Sequence, residues 1–450
     1  MPPPPPPFPP LVRVPPARRA DLGLKVALAV LLVLAACCGT ADAGLVALRA
    51  HLRAQAGTAY FFGDRDARTA MLDALLQRRA TAVARHDEAG FLADVDPYDP
   101  SFLRRERDEY QNLLSLDLSS FAMTVTAIGE YPVPAAAAVV QRRYGGSVWT
   151  VSVTVRYAVK GLDTAPVAEP WVPIFGFAGG HWLLAGESDE DDLPTGAGGL
   201  PWEAKPIVVK RTNHVVAVVS ADEQEIAPHL LSLAERGLTQ VFKLRPTGWA
   251  GKVLVTAVSD RNVFQSYFRD TPDKTSEVAA IAVPTYDAVQ EWAPGAAFVT
   301  TRVVFNPQTL GDGDEALVHD LAHEFTHAAL GPLTSRDTPI WLVEGTAEYV
   351  GYNTGPVDDV AVGGVLRRIG IPGLLPDDAG FYDKADNYLV AWLACRLIAQ
   401  RYSQAKLIAL YGFFHDGGSV SVDNGLRSTL GLSLDQFTAA WRSYLQGLAA

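Results

Sequence analysis

Asp314-Glu315-Ala316-Leu317-Val318-His319-Asp320-Leu321-Ala322-His323-Glu324-Phe325-Thr326-His327-Ala328-Ala329-Leu330 is the stretch on which the reading of this 450-residue chain turns. It is rich in helix formers and carries Leu317, Leu321 and Phe325 at the i, i+4 spacing of one helix face. Asp312-Gly313-Asp314-Glu315 ahead of it suits a helix start better than a calcium loop, whose other ligands are missing. There an aspartate would cap the open amides and Glu315 would complement the helix dipole. Gly331-Pro332 stops the helix, since proline cannot continue it. His323 and His327, four residues apart, lie one turn above each other and can reach one tetrahedral metal ion. Glu324 between them flanks the place of an activated water.

A third ligand is offered by a second helix, Pro339-Ile340-Trp341-Leu342-Val343-Glu344-Gly345-Thr346-Ala347-Glu348-Tyr349. Glu344 and Glu348 are one turn apart, so both can face the first helix. The economical arrangement has Glu344 completing a His-His-Glu site and Glu348 accepting a proton from a ligand imidazole. Without the first motif the two glutamates would read as a solvated helix face. His319, one turn before His323, is either part of the shell around the site or a surface histidine. Such a donor set suits one zinc ion per chain, although other divalent metals bind it too.

These two helices resemble the gluzincin metallopeptidases, the group of thermolysin and of the aminopeptidases related to leukotriene hydrolase. The likeness spans residues 296–352 and is greatest to the peptidase MA-like domains of bacterial surface proteins. It implies a thermolysin-like domain at 205–450 with a sheet lobe and a helical lobe. It also implies that Glu324 removes a proton from water and delivers it to the leaving amine. The strand Ala297–Phe305 would then bind an extended peptide by edge pairing, unless it is simply a buried strand. Tyr388, in Asp386-Asn387-Tyr388-Leu389-Val390, resembles the helix that follows in related domains, and is either a transition-state donor or a core tyrosine. No Gly-x-Met-x-Asn segment precedes the histidines. Leu330 and Leu333 stand where a metzincin has Gly and His, and Met1, Met71 and Met123 all precede the motif, so no Met-turn exists and a metzincin is excluded.

Outward from the motif, the spacing predicts a strand over Ile207–Ser220, a helix over Glu223–Phe242, a strand over Lys252–Val258, a short helix over Arg261–Arg269 and helices after Asp314. Upstream, residues 57–190 read as a second α+β domain. Helices are expected at Arg65–His86, with Met71, Leu72, Leu75, Leu76 and Val83 at helical spacing, and at Phe102–Leu114. Strands are expected at Phe121–Ile128, Ala137–Tyr144, Trp149–Val159 and Trp171–Leu184. Two helices on a curved antiparallel sheet resemble the cone-shaped domains related to nuclear transport factor and polyketide cyclases. Glu187-Ser188-Asp189-Glu190-Asp191-Asp192 and Gly196–Pro201 read as a solvated linker, with 191–204 as its core, more than as a calcium site.

The first twenty residues hold six consecutive prolines, Pro2–Pro7, and read as a solvated extended tail. Residues 21–48 contain the apolar run Leu22–Ala41, interrupted only by Lys25 and long enough to cross a hydrocarbon core of about 30 Å. Three export readings stand: a retained single-pass anchor with the amino terminus inside, a lipoprotein joined through Cys37, and cleavage after Ala43. Each places the rest of the chain outside the cytoplasm. With 38 basic and 50 acidic side chains the formal charge is −12, which excludes a nucleic-acid footprint. Three cysteines cannot staple a fold, and Cys395 reads as core. His181, His214, His229 and His415 lack ligand spacing. Together these features describe a membrane-anchored extracytoplasmic zinc metallopeptidase acting on peptides or proteins. The alternative is a non-catalytic surface scaffold whose zinc is structural.

Overall fold

A computed structural model describes residues 65–450 apart from 129–136, 145–147, 179–180, 188–201, 204, 259–263, 265–266, 268–277, 291–292 and 416–420. The tail, the apolar segment with Cys37 and Cys38, and most of the linker lie outside the described residues. Among those described, no helix is long and apolar enough to cross a membrane.

The chain is mixed α+β. Its first part packs helices α1 (Arg65–Arg85), α2 (Glu88–Leu92) and α3 (Pro100–Leu116) against strands β1 (Leu118–Ile128), β2 (Val148–Val159), β3 (Val167–Trp171), β4 (Pro173–Ala178) and β5 (His181–Glu187), with α4 (Ala137–Tyr144) at one end. Asp99 starts α3 by accepting from the amides of Ser101 and Phe102, and Pro100 occupies the first turn, where no amide is needed. Leu72, Leu75, Leu76 and Val83 are buried as their spacing predicts, but Met71 is exposed.

Two expectations fail here. Ala137–Tyr144 is a helix and not a strand. Its Val139-Val140 pair suggests a strand, yet only Val140 is buried, against Val148, Ile174 and Ala185, while Val139 faces solvent. The single strand expected over Trp171–Leu184 is three pieces. β3 pairs with β2 through Val153–Tyr157 and β4 pairs with the same strand through Val148–Thr150, the ladder being interrupted at Val172, and β5 then pairs back on β4.

The second part is built on a five-stranded sheet in the order β6-β7-β8-β10-β9. These strands are Ile207–Arg211, Val215–Ser220, Val253–Ala257, Phe298–Phe305 (β10) and Ala280–Tyr286 (β9). The predicted strand over Ile207–Ser220 is therefore a hairpin. Thr212 makes its turn, its hydroxyl accepting from the amides of His214 and Val215. β7, β8 and β10 run parallel; β7 and β8 are buried throughout and β10 from Thr301 onward, as parallel strands covered on both faces require.

Helix α5 (Ala227–Leu244) packs on β7, and α6 (Asp314–Leu330) packs on α5, β9 and β10. Then come α7 (Ile340–Tyr352), α8 (Asp359–Ile369), α9 (Asp386–Arg401), α10 (Gln404–Phe413), α11 (Val422–Leu430) and α12 (Leu434–Ala449). α6 spans the predicted residues, but its cap is Gly313 at φ +95°, a conformation that suits glycine, and no side chain caps it. The short helix expected at 261–269 lies largely outside the described residues.

Candidate metal centre

α7 seats closely on α9 because glycine stands at the contact. A Cβ on Gly345 would lie 2.5 Å from the Ala391 carbonyl oxygen, so α7 rests directly on the backbone of α9. Pro339 precedes the first turn of α7, whose open Ile340 amide donates to Asp378 at 2.7 Å. This seating turns Glu344 and Glu348 towards α6.

His323 Nε2 lies 3.3 Å and His327 Nε2 3.6 Å from Glu344 Oε2. One ligand atom from each of these three residues falls within 4.8 Å of the other two. Atoms bound about 2.0–2.1 Å from a shared tetrahedral centre stand about 3.3–3.4 Å apart, so the donor set fits zinc in both chemistry and spacing. The second oxygen of Glu344 accepts from the Tyr382 hydroxyl at 3.0 Å, which fixes the carboxylate with Oε2 towards the imidazoles. His323 Nδ1 faces Glu348 Oε1 at 3.3 Å, and Glu348 Oε2 faces His319 Nε2, also at 3.3 Å. His319 Nδ1 in turn lies 3.1 Å from Asp320 Oδ1, and its ring stands edge-on to Tyr352.

His323, Glu324, Glu344 and Glu348 are almost fully buried, and His327 is partly so. Burial opposes charge on Glu344, but the imidazoles of His327 and His323 outweigh it and hold the carboxyl near 2. Glu348 is held near 2 against burial by His319 and His323. Burial would lower His319 too, yet Asp320 and Glu348 raise it to about 9, and Glu344 and Glu348 lift His323 well above the usual imidazole value. The buried carboxylates thus demand positive charge at this point, and a divalent cation would take the place of those protons. Glu324 behaves differently: burial raises it to about 7, and its Oε1 is buried without a hydrogen-bond partner.

The structure therefore brings His323, His327, Glu344 and Glu348 together, and of the two readings of His319 it has the one beside the site. Tyr388 is buried on α9, ring to ring with Phe381 and Tyr382, and the charges of Glu344, Glu348 and Glu324 bear on its hydroxyl. Tyr382 was not expected. Its only signal is the aromatic doublet Phe381-Tyr382 just before α9.

The strand expected to offer a free edge does not do so. β10 is paired on both sides, with β8 and with β9, and the sheet ends on β9, a strand the sequence reading passed over. Its Pro284, which has no amide hydrogen to donate, is at home on an edge.

A second group of acids, Glu106, Glu109 and Glu187, also has ligand atoms within 4.8 Å of one another. Arg79 lies among them, 2.5 Å from Glu106 and 3.2 Å from Glu109, so a guanidinium already fills the place of a cation. Glu187 thus ends β5, half-buried, and does not belong to the linker; it accepts from the Trp171 indole at 3.0 Å. Residues 188–192 of the acidic run lie outside the described residues. Cys395 is buried beside Thr346 with its thiol pushed up to about 12, as core packing predicts. His214 pairs with Glu235, and His229 with Asp314.

No curated protein matches the chain. Residues 284–447, from the edge strand to the last helix, are similar to the Peptidase MA superfamily, which supports a peptidase domain of that clan around these two helices.

Proposed function

We propose that the chain is a zinc-dependent peptidase of the gluzincin type, with His323, His327 and Glu344 as metal ligands and Glu324 as general base. The observation that carries this reading is Glu324 Oε1, a buried carboxylate oxygen beside two imidazoles and without a hydrogen-bond partner. A structural site needs no such group, and leaving it unpaired costs about 1–3 kcal/mol.

When bound, the ion supplies Lewis acidity and makes water a nucleophile near neutral pH. The residues do the rest. Tyr382 holds Glu344 in orientation through Oε1. Glu348 fixes His323 through Nδ1, so that Nε2 is the nitrogen turned to the centre. Glu324, raised by burial towards neutrality, can take a proton at Oε1 and release it to the leaving nitrogen. Tyr388 is the proposed hydrogen-bond donor to the developing oxyanion. A peptide in extended form would add to the outer edge of β9. We further propose that the apolar run Leu22–Ala41 holds the enzyme in a membrane with the catalytic part outside the cytoplasm, which its length and its basic flank support.

The test is metal content and hydrolysis of a peptide library by the full chain in detergent. Wild type should hold about one zinc, His323→Ala should lose it, and Glu324→Gln should keep it while losing at least a hundredfold in kcat. Zinc retained with wild-type hydrolysis in Glu324→Gln would remove the base. Zinc retained with no hydrolysis in any form would leave the scaffold reading.

A further inference from the structure

The matched segment begins at residue 284 and omits β6, β7, β8 and everything before them, yet the peptidase sheet has two faces. Pairing defines one row across all five strands, Arg211–Val216–Leu254–Arg302–Val283. Paired residues project from the same face of a sheet. The neighbouring rows, Ala217–Val255–Val303 among them, belong to the other face, where α5 packs on β7 and α6 on β9 and β10. On the face of the first row, Val216, Val218, Leu254, Thr256 and Val304 are all buried, so something other than the helices covers them.

The cover is the first part of the chain, and it is tied down on β6 at one edge and on β10, next to the other. Arg211 donates to the carbonyl oxygens of Leu116 and Lys160. Arg302 makes a bidentate pair with Asp163 in the turn after β2, at 2.8 and 2.6 Å, with both side chains buried. Its guanidinium also lies 5.6 Å from the centre of the Tyr157 ring. Asn112 on α3 accepts from the Ile207 amide at the start of β6 and donates to the Trp202 carbonyl. Beyond the sheet, Arg156 donates to the Asp287 carbonyl just after β9. One apolar core runs without interruption through both parts.

We infer that the first domain is the second layer of the peptidase sheet, that the two fold as one cooperative unit, and that the buried Arg302–Asp163 pair is the lock between them. The peptidase half alone would present a wide apolar face crossed by an unpaired arginine. The lock sits on β10 directly beside β9, so the edge strand depends on a domain that lies outside the matched segment. None of this requires the chain to hydrolyse anything, and the test reads folding, not turnover.

The experiment is native-state hydrogen exchange on the full chain carrying Asp163→Asn, which leaves Arg302 buried without its counter-charge. Amides of β8, β9 and β10 should exchange at least tenfold faster, in step with β2 and β3. The double variant Asp163→Leu, Arg302→Met, which replaces the pair with apolar volume, should restore protection to within about threefold of wild type. Acceleration confined to β2 and β3, with the sheet unchanged, would overturn the inference. Should Asp163→Asn fail to fold, Asp163→Glu, which keeps the charge but displaces the carboxylate by one methylene, tests instead whether disturbing the geometry of the pair accelerates exchange in both parts together. A protease site placed between Gly198 and Gly199 supplies a second readout. After cleavage the two pieces should stay together until denaturant separates them in a single transition. A freed carboxy-terminal piece, monomeric and with its sheet amides still protected, would refute the inference.

Discussion

Replacing Gly345 by alanine should damage the metal centre without touching a ligand. The added Cβ would lie 2.5 Å from the Ala391 oxygen, 2.7 Å from its carbonyl carbon and 2.9 Å from Cys395 Sγ. Two of these atoms are backbone, so no rotamer change relieves them, and α7 must move about 0.9 Å to reach an ordinary 3.4 Å contact. The intrinsic helix gain of alanine over glycine is at most about 1 kcal/mol, whereas overpacking a core costs about 1–3 kcal/mol. The net expectation is a loss of about 1–2 kcal/mol in stability. Metal ligands tolerate about ±0.2 Å, and Glu344 is the neighbouring residue, so a shift of this size should weaken zinc binding by about ten- to a hundredfold. Competition against a chromogenic chelator measures the affinity, and denaturant unfolding of the metal-free protein measures the stability. Wild-type values in both would mean that α7 and α9 do not approach as described, and the account of why glycine follows Glu344 would fail.

Tyr382→Phe removes the hydroxyl that holds Glu344 Oε1; zinc affinity should fall about tenfold with folding unchanged, and an unaltered affinity in chelator competition would show that the contact does not orient the ligand. His319→Phe keeps a ring against Tyr352 but breaks the link to Glu348, so affinity should again drop about tenfold and the absorption spectrum of the cobalt-substituted protein should shift. Glu187 has its pKa raised from 4.5 to about 7 by burial first and by Glu106 second. The folded state therefore favours its neutral form. That stabilisation is complete below about pH 4.5 and is lost as pH rises through 7. Glu187→Gln keeps an oxygen for the Trp171 indole and should remove this part of the decline between pH 5 and 8 in denaturant titrations; an unchanged slope would remove Glu187 as its source.

What the sequence alone determined is the local layout of α6 and α7 and the candidate donors they carry. Histidines at i and i+4, glutamates one turn apart, and the stop at Gly331-Pro332 are local facts, because helical periodicity and termination depend on neighbours within about one turn. α6 therefore spans Asp314–Leu330, ending at Gly331-Pro332 as the pattern has it, and α7 begins just after Pro339. Local pattern could not decide α4, since Val139-Val140 reads equally as strand or helix until one of the two finds a core. Nor could it order the sheet. β10 reads as a strand by composition, but whether it is an edge depends on β9 and β8 arriving on either side of it.

Tyr382 reaches Glu344 only because the chain turns back between α8 and α9, thirty-eight residues downstream. The same holds most strongly for Arg302 and Asp163, 139 residues apart, each an ordinary charged residue in its own segment. Their pairing exists only once two separately legible halves close over one sheet. Candidate ligands that share a helix turn are written in the chain. Partners that meet across a core are settled by which surfaces must be buried together.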